Sequence, residues 1–121
     1  MELDMRLDIL KQTNQIDEDI YSKLKAVIKM IHCKYNIKLN EENGAMFITH
    51  LSVALMRIKN KQLVENIDEG IFNEIKHSEF FNISNEVIKD IENITAMEIP
   101  ECEKNFIAMH LCTLFTNMKN N

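Results

Sequence analysis

The chain has 121 residues, 45% of them hydrophobic and 27% charged, which excludes a disordered or collagen-like polymer and suits one folded domain. Fourteen basic against nineteen acidic side chains leave a formal charge of −5, so the molecule as a whole repels nucleic acid. Two glycines and one proline are too few for the turns of a β-sandwich or barrel, and the expected fold is all-α, a compact bundle of five to six helices.

Three cysteines are an odd number, and the opening Met1-Glu2-Leu3-Asp4-Met5 lacks the basic-then-apolar order of a secretory leader. No run approaches the roughly 18 apolar residues of a membrane span. Reduced thiols in a cytoplasmic protein, with no membrane attachment, are the expectation.

In chain order, Leu3, Leu7 and Leu10 fall on one helical face and predict a short helix over 2–12. Asp17-Glu18-Asp19 opens a second helix over about 17–35, striped by Ile20, Leu24, Val27, Ile28 and Ile31. Asn40 is a candidate N-cap for a third helix reaching about Lys59. There Phe47, Leu51, Ala54 and Ile58, broadened by Met46, Ile48 and Leu55, predict a central buried helix. A weaker pattern gives a short helix over Glu69–Lys76 and another from Ser84 to Thr95. Pro100, read as the first helical position, starts the last helix over 100–118, striped by Ile107, Leu111, Leu114 and Met118.

Histidine carries the chemistry here, because imidazole takes a proton, a metal or a phosphoryl group near neutral pH. His50 and His110 sit at the stripe edges of the two most apolar helices, which suggests a shared, partly buried pocket, although periodicity alone favours two satisfied core histidines. His32 and His77 stand among lysines and loop residues and read as surface groups. Arg57 follows His50 by two helical turns and suits an anion beside it; Glu103 stands near His110, and both also suit surface ion pairs.

Cys33, Cys102, Cys112, His32 and His110 include zinc-ligand types but lack paired spacing, so no metal and no cofactor are expected. No nucleophile elbow and no glycine-rich phosphate loop is present, so an enzyme is not expected and no catalytic residue is assigned. Lys23, Lys25, Lys29, Lys34 and Lys38 form a basic concentration read as a solvated face.

The run Glu42-Asn43-Gly44-Ala45-Met46-Phe47-Ile48-Thr49-His50-Leu51-Ser52-Val53-Ala54-Leu55-Met56-Arg57 resembles the first signature of the phosphotransferase-system regulation domain, the PRD. Ile99-Pro100-Glu101-Cys102-Glu103-Lys104-Asn105-Phe106-Ile107-Ala108-Met109-His110-Leu111 resembles the second, in order and at the family's separation. The resemblance covers about residues 17–118.

That resemblance implies a helical domain of the kind repeated in bacterial sugar-operon antiterminators and transcriptional activators, usually homodimeric. It implies His50 and His110 as phosphoacceptors, with Arg57 and Glu103 supporting them, and phosphorylation by the phosphocarrier HPr or a sugar-specific permease component, EIIB. The expectation is a helical extension over 1–16 followed by a PRD-like regulatory domain over 17–121, standing alone. Its phosphorylation state would control dimerisation or protein association, with no direct nucleic-acid contact. Rival readings are an unphosphorylated PRD-like module that forms mixed complexes with a full-length PRD regulator, and a small helical enzyme or metal protein.

Overall fold

A computed structural model describes residues 2–62 and 64–120; Met1 and Asn121, the outer limits of the two expected segments, lie outside the described residues. Among those residues the fold is all-α, with six helices: α1 (Leu3–Gln12), α2 (Glu18–Tyr35), α3 (Glu41–Lys59), α4 (Glu69–Lys76), α5 (Phe81–Thr95) and α6 (Glu101–Lys119).

Local chemistry sets most of these ends. The Asp17 carboxylate accepts the Ile20 N–H at 2.9 Å and caps α2, and Asn36 closes that helix in the left-handed region. Asn40 and Asn43 form a reciprocal capping box at α3, each side chain accepting the other's backbone N–H at 2.9 and 2.8 Å. Asp68 accepts the N–H groups of Gly70 and Ile71 to start α4. At Gly44 a Cβ would meet the Leu39 Cβ at 3.1 Å, so the missing side chain lets the approach to α3 fold tightly against its first turn.

α3 and α6 form the centre, with α5 against α6, α2 against α5 and α3, and α1 across α2 and α3. Ile48, Leu51, Leu55, Ile91, Leu111 and Leu24 are sealed from solvent in one continuous core. Burial of each such side chain stabilises the fold by about 1.5–3 kcal/mol before entropy is counted. Leu3, Leu7 and Leu10 belong to the same core, so α1 packs as part of it. Beside it, the Tyr35 hydroxyl and Lys34 both donate to Asp90 and tie α2 to α5.

Three details differ from the sequence expectation. α5 begins at Phe81 and not at Ser84: the Ser78 hydroxyl accepts the Phe80 N–H at 3.1 Å in a side-chain turn that starts the helix early. Ser84, the expected start, is buried inside α5 and faces the Cys112 thiol at 3.5 Å. Pro100 is the extended residue before α6, which starts at Glu101. α3 is central as expected, but Met46, counted in its stripe, is 66% exposed.

Candidate functional site

The core stripes of α3 and α6 turn Phe47, Leu51 and Ala54 towards Ile107 and Leu111, which brings the flank of one helix opposite the flank of the other. His50 stands on the first flank and His110 on the second. Their rings stack with centroids 3.9 Å apart and planes inclined by 11°. His50 is exposed and His110 half-buried.

Burial, and then the proximity of His50, push the His110 imidazole down to about 4 from its ordinary value. At neutral pH His110 is therefore uncharged and keeps a ring nitrogen with a free electron pair, the form an electrophile requires. Among the described residues neither His50 nor His110 is held by a hydrogen bond to the protein, and no buried side-chain nitrogen lacks a partner.

A cleft of about 280 Å³ runs along the pair, walled by Phe47, Val53, Val64, Phe106 and Met109 and bordered by Arg57. Arg57 does not lie free beside His50, nor do Arg57 and Glu103 make surface ion pairs. The guanidinium donates from Nε and Nη2 to the two carboxylate oxygens of Glu103 at 2.8 and 2.9 Å. Glu103 is 2% exposed, so the pair is a pin between α3 and α6 whose acid is inside the protein.

Other sequence candidates lie elsewhere. His32 borders a larger cleft of about 720 Å³ between the start of α1, α2 and the start of α3, where Lys25, Lys29 and Lys38 are interspersed with Glu2, Asp4, Glu41 and Glu42. The Nδ1–H of His77 donates to the Asn73 carbonyl at 2.6 Å at the end of α4. Lys23 pairs with Asp19, and Lys34 with Asp90, so part of the basic concentration is neutralised within the chain. The three cysteines are free thiols, and among the described residues no metal-binding cluster forms. Val53, Val64 and Met109 complete the cleft unforeseen. Val53 follows His50 by three residues and is legible from helix spacing, whereas Val64 comes from a loop with no periodic signal.

The sequence matches the PRD domain family over residues 25–113. The chain belongs to the PRD family. The match takes in His50, Arg57, Glu103 and His110, while α1 precedes it. This PRD is also 24% identical over 113 residues to the uncharacterized protein YhfY of Escherichia coli (strain K12), which spans 93% of this chain and 94% of that one. No solved structure matches it significantly. No helix of this PRD, among the described residues, is long and apolar enough to cross a membrane.

Proposed function

We propose that this PRD is a transcription- or antitermination-related regulator of carbohydrate utilisation in which His50 and His110 accept phosphate from the phosphocarrier HPr or a sugar-specific EIIB. The reading is carried by one observation: the two family histidines meet face to face in an accessible, apolar-walled cleft.

The chemistry follows from the imidazoles. An unprotonated ring nitrogen supplies the electron pair for a new P–N bond while the P–N bond of the donor phosphohistidine breaks. The acceptor ring releases its N–H proton as it is phosphorylated and the departing donor imidazole takes one up, so protons balance and no redox change is needed. The product carries about −1.5 to −2 additional charges at an apolar helix contact, which must then repack. Arg57 and Glu103 support the site by holding α3 and α6 in register at its edge.

Met46 and Val53, on the same outward side of α3 as His50, offer apolar area for a second copy of the chain. Phosphorylation at His50 would add charge to that surface. The protein thus acts as a homodimeric switch without turnover of its own, and its output is association with another protein.

The test is phosphotransfer from labelled phosphoenolpyruvate through enzyme I and HPr, or through EIIB. Wild type becomes labelled and the His50→Ala/His110→Ala chain does not. A wild-type chain that stays unlabelled with every donor refutes the acceptor assignment.

A further inference from the structure

We infer that His50 and His110 form a single acceptor site that holds one phosphoryl group at a time, each ring competent alone and each excluding the other once occupied. This rests on the acceptor reading above.

The rings are 3.9 Å apart and nearly parallel, and both border the same cleft of about 280 Å³. A phosphoryl group on a ring nitrogen lies in the plane of its ring, so groups on both rings would occupy adjacent layers. Each carries about −1.5 to −2 charges. Their repulsion scales with the product of those charges, which is roughly two- to fourfold that of two unit charges at the same separation.

Countercharge is lacking on the walls. Phe47, Val53, Val64, Phe106 and Met109 are apolar, and the guanidinium of Arg57, the cation among the lining residues, is committed to both oxygens of Glu103. Withdrawing it would leave a carboxylate that is 2% exposed without its partner. A first phosphoryl group meets no like charge among the lining residues; a second meets the first.

Stacking also forbids passage of the group between the two rings. Transfer requires entering and leaving nitrogens roughly in line through phosphorus, and here each ring presents its face to the other. A phosphoryl group on either ring therefore enters from an external donor and leaves to an external acceptor.

The decisive experiment counts phosphoryl groups by intact mass in a chain carrying His32→Gln and His77→Gln, so that the stacked pair supplies the remaining histidines. Potassium phosphoramidate and, separately, HPr with enzyme I and phosphoenolpyruvate serve as donors. At saturation one phosphoryl increment is expected. Adding His50→Gln or His110→Gln should still leave one increment, now on the remaining ring; His110→Asn replaces His110→Gln if the latter loses its cooperative melt.

Two increments on the parent overturn the shared site and leave the acceptor reading intact. One increment on the parent, with none in one single variant, overturns it by showing one ordinary acceptor. No increment with either donor, nor with phosphorylated EIIB, removes the acceptor reading and this inference together.

Discussion

The Arg57 guanidinium meets the Glu103 carboxylate through two nearly equal hydrogen bonds of 2.8 and 2.9 Å, joining α3 to α6 beside the histidine stack. Removing either partner has unequal consequences because the acid is buried and the base is partly open. Arg57→Ala strands the carboxylate and is expected to cost about 3–5 kcal/mol in urea unfolding. Arg57→Met/Glu103→Leu, which removes both charges, should recover most of that loss. A single Arg57→Ala cost below about 1 kcal/mol would show that the pair does not pin the helices.

Acid should weaken the protein through His110. Its folded-state value of about 4 lies below the ordinary 6.5, so the unfolded chain binds the extra proton between those pH values. Stability is therefore unaffected by this group above about pH 6.5 and falls as pH drops towards 4, by at most about 3 kcal/mol. Chemical denaturation at pH 7.5 and pH 5, repeated on His110→Gln, measures it. An unchanged slope in the variant would assign the acid loss to other groups.

α1 is expected to be held by its leucines more than by its ion pair. Leu7 is fully buried, and Leu7→Ala should cost about 2–5 kcal/mol. Arg6, which donates from Nε to both Glu41 oxygens at 2.9 and 3.1 Å, is partly exposed. Its coupling to Glu41 in a double-mutant cycle should be under about 1 kcal/mol and should shrink with salt. A larger, salt-insensitive coupling would reverse this order.

Ala96 ends α5 in the left-handed region at φ 56° and ψ 32°, where its Cβ is strained. Ala96→Gly should raise stability by about 0.5–1 kcal/mol, seen as a higher melting temperature with the same helical signal. A lower melting temperature would mean that the Ala96 methyl makes contacts outweighing its backbone strain.

Most helix spans and the Asn40 cap were legible because their causes are local: the spacing of Leu3, Leu7 and Leu10, the acids from Asp17, the side chain of Asn40, and the interval between Glu69 and Lys76 all act within a few residues. The candidate histidines were legible in the same way, through signatures contained in α3 and in the approach to α6 and α6 itself. The start of α5 was placed at Ser84 because the apolar spacing is clear only from Val87 onward, whereas an upstream turn at Ser78 had already started the helix.

The sequence by itself determined the all-α class, the principal helix spans and the family signatures, since each depends on interactions short along the chain. Only the tertiary structure decided that His50 lies flat on His110, that Arg57 spends both donors on Glu103, and that Met46 faces outward. Those outcomes depend on the rotation of α3 against α6 about their axes. That rotation is set by how all the buried side chains pack at once, and no stretch of either helix encodes it alone.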